Sequence, residues 1–161
     1  MQNITKVGMA DMNITKDPGI ITTLGLGSCV GIILYDKSIK IAGLAHIMLP
    51  NSKQIKNNEN KAKFADTGIQ LLLDRMIDRG CNKSRIIAKI AGGSQMFSFQ
   101  TNNDIMKIGE RNVLATKEIL QVLNIPIIAE DTGGNYGRTI EFNSSNGILL
   151  IKTIGHGIHE I

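Results

Sequence analysis

The stretch "GLGSCVGIILYD", residues 25–36, sets Cys29 just after a glycine-flanked turn and at the head of an apolar run. Further on, "IAGLAHIMLP" carries His46 on a second apolar run. These two residue types can do acyl-transfer chemistry together. A free thiol with a pKa near 8.5 is only partly thiolate at neutral pH. An adjacent imidazole can hold it as a thiolate–imidazolium pair and later give the proton to a leaving amine. The ring needs a third group to fix it, and a hydroxyl from Thr22 or Thr23 on the preceding β-rich run "IITTLGL" can serve. Glycines at 25, 27 and 31 let backbone N–H groups come close to a substrate oxygen.

The two runs read as a hairpin. A turn centred between Lys37 and Ser38 sets Cys29 directly opposite His46 on one face, with Cβ atoms about 4.5–5.5 Å apart. A loop of odd length moves the two onto opposite faces. The plain alternative is a core: cysteine beside valine and isoleucine commonly packs as a small hydrophobe. A histidine in an apolar strand is commonly a hydrogen-bonded core residue. "GLGSC" is neither a dinucleotide fingerprint nor a P-loop, because no Lys-Ser/Thr and no helical pattern follow it.

The elements that must hold these residues are legible in outline. "ITKVGMADMNI" reads as an opening strand, and "DPG" at 17–19 as a turn. "NSKQIKNNENK" reads as a polar loop. From Lys61 to Arg79 the period becomes helical, with Ala65, Ile69, Leu72, Leu73, Met76 and Ile77 on one stripe and Gly80 as the stop. "RIIAKIAGG" reads as a short buried strand, and "GERNVLATKEILQVLN" as a second amphipathic helix ending at Asn124 and Pro126. "PIIAE", "RTIEFN" and "GILLIKT" read as strands, with "EDTGGNYGR" and "NSSNG" as turns between them. Strands at both ends and two helices between give an α+β fold with mixed or antiparallel sheets packed against helices.

The chain has 161 residues, read as one domain spanning 1–161 and large enough to bury its own core. Aromatics make up 4% and tryptophan is absent, so aliphatic side chains must fill that core. The net charge, 18 − 14 = +4, is not interleaved with aromatic residues, which argues against nucleic acid. Lys53, Lys56, Lys61 and Lys63 read as a solvated loop and helix start. The N-terminal stretch shows no signal-peptide pattern, and no apolar run reaches the length of a membrane span. Cys29 and Cys81 form neither a disulfide framework nor a zinc spacing, so two free thiols in a reducing cytoplasm are expected. Cys81, at a helix end, reads as a core thiol. His156 and His159 in the tail "GHGIHEI" lack a third metal ligand and read as a solvated tail. Gly92, Gly93, Gly133 and Gly134 read first as turns, and second as places where a partner helix approaches.

Several blocks in order, "TTLGLGSCVGIILYD", "AGLAHIMLP", "KFADTGIQLLLDRMI", "AKIAGGSQMF", "IGERNV" and "IPIIAEDTGGNYGRTIEF", resemble the CheD family of chemoreceptor glutamine deamidases. The resemblance covers nearly the whole chain. It implies a Cys–His–Thr catalytic set at Cys29, His46 and Thr23, with the choice of Thr23 over its neighbour coming from the motif match. It implies conversion of selected glutamines to glutamate on the cytoplasmic helical bundle of chemotaxis receptors, through a thioester and without cofactor or metal. Gly27 and Ser28 are the candidates for the oxyanion site. A CheC-type phosphatase is the implied protein partner, with no nucleic acid and no membrane insertion. The implied fold resembles the catalytic domain of cytotoxic necrotizing factors, with sandwiched sheets flanked by helices. "GGSQMF" departs from the more usual "GGANMF", a change expected to touch only the surface near the site. Two other readings stand beside this one: a regulatory binding module that needs no thiol, and a cysteine peptidase or other amidase built on the same residues.

Overall fold

The computed structural model describes residues 3–96 and 107–161. Within them the chain forms β1 (Asn3–Val7), β2 (Asp11–Lys16), β3 (Gly19–Leu26), β4 (Val30–Asp36), β5 (Ile41–Ile47), α1 (Ala65–Asp78), β6 (Ile86–Gly92), α2 (Ile108–Val122), β7 (Ile127–Thr132), β8 (Arg138–Asn143), β9 (Ile148–Thr153) and β10 (Gly157–Glu160). One sheet has the order β1-β3-β8-β9-β10 and the other β2-β5-β4-β6-β7. Each is mixed: β1 runs parallel to β3 and β6 parallel to β7, and the remaining pairs are antiparallel. The class is the α+β arrangement the sequence implies.

The strands alternate their side chains between two cores. Val30, Ile32 and Leu34 of β4 and Ala45 and Ile47 of β5 face the helices, where Ile69, Leu72, Leu73 and Met76 of α1 and Leu120 of α2 cover them. Ile33, Tyr35, Ala42 and Leu44 face the other way, onto Ile21, Ile140, Phe142, Leu149 and Ile151 of the first sheet. Every residue of β4 and β5 is buried because both of their faces are covered. That explains why these strands read as continuous apolar runs rather than alternating ones. Gly43 lets α1 lie flat on β5. A Cβ there would sit 2.6 Å from Leu72 Cδ1 and 2.9 Å from Met76 Sδ.

Several expectations are corrected. The opening strand is two strands, which divide at Gly8–Ala10 and join different sheets. A three-residue break suffices because Ala10 takes a positive φ of 57°. The first helix starts at Ala65, after a separate 3-10 turn at Lys61–Lys63, and Ile77 is 42% exposed, one step beyond the buried stripe. The polar loop contains a 3-10 turn at Ser52–Gln54, capped by the Asn51 side chain. β7 runs on through Asp131 and Thr132, so the turn begins only at Gly133. The helices do not flank the sandwich on both sides: both described helices lie on the outer face of the second sheet. The tail is solvent-exposed, as expected, but it is also a strand: β10 pairs antiparallel with β9. Phe97 of the "GGSQMF" block lies outside the described residues.

Candidate active site

The β4–β5 hairpin closes with Asp36 opposite Ile41, leaving a four-residue loop rather than a two-residue one. The even length keeps the face assignment, but the register slides. Gly31, not Cys29, stands opposite His46, and Cys29 falls one residue ahead of β4, diagonal to His46 on the same face. Diagonal neighbours are further apart than direct partners, about 7–8 Å. The expectation that the two lie directly opposite is therefore corrected. The residue opposite the imidazole has no side chain, and its space is filled from the other sheet. A Cβ on Gly31 would lie 2.8 Å from Ile140 Cδ1 and 3.2 Å from Leu26 Cδ1.

The facing sheet brings one of the two threonines to the imidazole. Thr23 Oγ1 lies 2.6 Å from His46 Nδ1 and donates to Val7 O at 2.7 Å. Thr22 turns away and donates to Ile140 O. A hydroxyl has one proton, and a carbonyl can only accept. With that proton on Val7 O, Thr23 accepts from Nδ1–H, which leaves the lone pair on Nε2. Nε2 is buried and has no hydrogen-bond partner among the described residues. His46 is 1% exposed and Cys29 8% exposed, and Cys29 packs in the core between the sheets with Leu26, Ala91 and Ile140.

Burial lowers the His46 pKa from 6.5 to about 4. Burial also pushes the Cys29 thiol up, opposed by its own backbone N–H. Both shifts favour neutral forms, so the resting pair is thiol and neutral imidazole. A neutral imidazole has a free nitrogen lone pair able to accept a proton. Cys81 is also free and buried, and its pKa is raised to about 11 by burial and then by Asp36. It reads as the structural thiol expected of it.

Three successive carbonyls of the turn that carries Cys29 are tied down. Ser94 N donates to Gly27 O at 2.8 Å, Asn112 Nδ2 to Ser28 O at 2.9 Å, and Gly93 N to Cys29 O at 2.8 Å. Gly92 and Gly93, with φ of 110° and 68°, let β6 end close against the turn, and a Cβ on Gly92 would overlap the Cys29 carbonyl. The buried Arg138 guanidinium steadies Ser94 through Nη1 to Oγ at 2.8 Å and also reaches Asp131. The departure from "GGANMF" is thus a surface change only at the exposed Gln95; Ser94 is 1% exposed and stands behind the turn.

Sequence reasoning missed Asn112, Ser94, Arg138 and Val7. For Asn112 a signal existed. It shares a helical stripe with Thr116 and Leu120, and a polar residue on an apolar stripe marks a specific partner. Gly109, one turn earlier, lets α2 press on the β6 end. A Cβ there would overlap Ser94 O and lie 2.7 Å from Gly93 O. Backbone cannot yield as a side-chain tip can, so Gly109→Ala is expected to cost about 1–3 kcal/mol of stability in urea unfolding.

The tail histidines are elsewhere. His159 Nε2 meets Asp131 Oδ2 at 2.6 Å, and the His156 ring lies on Tyr136 with centroids 4.1 Å apart. Among the described residues no group of three or more His, Cys, Asp or Glu is placed to hold a metal ion.

The family model described as CheD chemotactic sensory transduction matches residues 48–153. A protein of Caldanaerobacter subterraneus subsp. tengcongensis named "Probable chemoreceptor glutamine deamidase CheD" is 65% identical over 158 residues, 98% of each chain. A Bacillus subtilis protein named "Chemoreceptor glutamine deamidase CheD" is 55% identical over 155 residues, 96% of this chain and 93% of its own. Among solved structures, the Bacillus licheniformis hypothetical protein YfiH aligns with 76% of this chain and 50% of its own, at a TM-score of 0.49 and 18% identity. The family-model match begins at Met48, two residues past His46, whereas the two relatives align along almost the full length.

Proposed function

The chain belongs to the CheD family, and from that membership we propose that it is a glutamine deamidase acting on chemoreceptors, with Cys29 as nucleophile, His46 as general base and acid, and Thr23 as the residue that fixes the imidazole. One observation carries the residue roles: Thr23 holds His46 Nδ1–H, leaving a buried, unpartnered Nε2 on the face that Cys29 shares.

The reaction balances with water alone. The Cys29 thiol gives its proton to His46 Nε2 as sulfur attacks the carboxamide carbon of a receptor glutamine. The oxyanion is held by backbone N–H groups. In a trans peptide the N–H of one residue points opposite to the C=O of the residue before it. With Gly27 O and Ser28 O drawn towards Ser94 and Asn112, the N–H groups of Ser28 and Cys29 face the other way. They are the oxyanion donors of this proposal, which keeps Ser28 and replaces Gly27. The imidazolium protonates the departing nitrogen, ammonia leaves, and a thioester remains on Cys29. His46 then deprotonates water, which releases glutamate and returns the proton to sulfur. The chemistry calls on no cofactor.

The substrate is the receptor's cytoplasmic helical bundle, so the enzyme works in the cytoplasm. No helix among the described residues is long and apolar enough to cross a membrane, in keeping with that reading. A CheC-type phosphatase is the protein partner, tested by co-purification of the two chains. The expected framework is that of cytotoxic necrotizing factor catalytic domains, two facing sheets with the thiol at an open strand end.

The test is incubation with a purified receptor cytoplasmic fragment, mapping Gln-to-Glu conversion by peptide mass spectrometry. Absence of any converted glutamine with a cognate receptor overturns the reading, and chain cleavage replaces it with a peptidase. Thr23→Val is expected to lower kcat by roughly 10- to 100-fold, because the ring loses its tautomer and orientation. Thr23→Ser keeps the hydroxyl and is expected to keep most of the activity. Loss of kcat in both variants alike, with folding intact, contradicts the hydroxyl's role.

A further inference from the structure

Asn112 is wholly buried on α2, and its side chain reaches two carbonyls far apart in sequence. Nδ2 donates to Ser28 O and to Met48 O, each at 2.9 Å. Ser28 precedes the Cys29 sulfur, and Met48 lies two residues past His46. The β4–β5 ladder ends at the Val30–Ile47 pair. Beyond it the strands part, and Met48 N turns to Lys63 O instead. Asn112 thus bridges the gap at the place where the ladder no longer fixes one strand against the other. Two acceptors on one nitrogen also settle which end of the amide faces them.

We infer that Asn112 is a positioning residue for the deamidation. It sets the separation of the Cys29 thiol from the His46 ring, and it turns the Cys29 N–H away from α2, towards the space between the sheets where the oxyanion forms. This rests on the proposed roles of Cys29 and His46. The direction follows from the layers: α2 covers the outer face of the second sheet, whereas Cys29 packs on the inner face. Drawing the Ser28 carbonyl towards α2 therefore sends the next N–H inward. Stability is a poor account of this residue. Asn112 Oδ1 is buried with no partner among the described residues, a destabilising feature that an apolar side chain on this stripe avoids.

The test compares Asn112→Leu, which keeps bulk without donors, and Asn112→Asp, which keeps shape without donors, with Leu120→Ala, a stability control two turns along the same helix. All are measured below their melting temperatures. Two readouts are taken: kcat and KM for deamidation of the receptor fragment, and the rate of Cys29 alkylation by iodoacetamide, mapped by peptide so that Cys81 is not counted. Both Asn112 variants are expected to lose about 100-fold in kcat with KM changed less than about 2-fold, as small misplacements of reacting groups do. Their Cys29 alkylation rate and its pH profile are expected to change, while Leu120→Ala keeps both near wild type despite a lower melting temperature. Wild-type kcat in folded Asn112 variants, or an equal kcat loss in Leu120→Ala, overturns the inference. If the wild type deamidates nothing, the functional reading fails, and the alkylation profile alone then decides for or against Asn112. If the leucine variant does not fold, Asn112→Ser, which shortens the side chain without adding volume, takes its place in both readouts.

Discussion

Cys29→Ala is expected to reduce conversion of receptor glutamines by at least about 1,000-fold, because the proposed route is covalent and the variant lacks the sulfur that would carry its thioester. The same variant is expected to fold. The side chain is small, packs at the edge of the inner core and makes no side-chain hydrogen bond on which a neighbour depends. Near-wild-type unfolding with lost chemistry is thus the signature sought, read by circular dichroism beside peptide mass spectrometry. Cys29→Ser is expected to be nearly as inactive, since an alcohol is far less acidic than a thiol and a base with a pKa of about 4 cannot activate it well. Substantial conversion by the alanine variant shows that the sulfur is not the nucleophile.

The second large effect belongs to His46 and has a pH dependence of its own. His46→Gln is expected to lower kcat at least about 100-fold, the usual worth of a positioned base. In the wild type the folded pKa of about 4 keeps the ring neutral through the physiological range. Activity should therefore show no acid limb near pH 6.5 and should fall only as the pH nears about 4. Stability carries the same sign. Above pH 6.5 the ring is neutral folded or unfolded, and the term is fully present. As the pH falls from 6.5 towards about 4, the unfolded chain takes up a proton that the folded one refuses, and roughly 3 kcal/mol of stability is lost. Urea unfolding at pH 7.5 and pH 4.5 should show that drop in the wild type and a smaller one in His46→Gln. Equal drops in both proteins place the titration elsewhere.

Cys29 and His46 stood out in the sequence because a thiol beside a glycine turn and an imidazole on a neighbouring run can do chemistry together, although each alone is a common core residue. Their common face was legible too, because parity depends only on whether the loop is even. The register was not. A two-residue and a four-residue turn both satisfy "DKSIK", and the choice is made by side chains from the other sheet, Ile140 and Leu26, which pack into the space left by Gly31. The threonine choice was beyond spacing for a similar reason. Thr22 and Thr23 differ only in the face they present, and strand β3 joins the sheet opposite His46. The exposure of the tail was legible because "GHGIHEI" is short and polar, but its strand was not. Its pairing to β9 and the meeting of His159 with Asp131 are long-range contacts with no local signature. The helices were the easiest elements, since one periodic stripe on each is enough, and their errors are confined to the ends.

The recess of the proposed catalytic pair bears on which amide it could cleave. With Cys29 8% and His46 1% exposed, the proposed chemistry requires the target carbon to come inward past the turn while the receptor backbone stays outside. Asparagine holds the same functional group one methylene nearer its own main chain, a shortfall of about 1.5 Å. A rigid helix cannot make up that distance by bending. Discrimination between the two amides is then a matter of depth, with reach rather than electronic reactivity deciding the outcome.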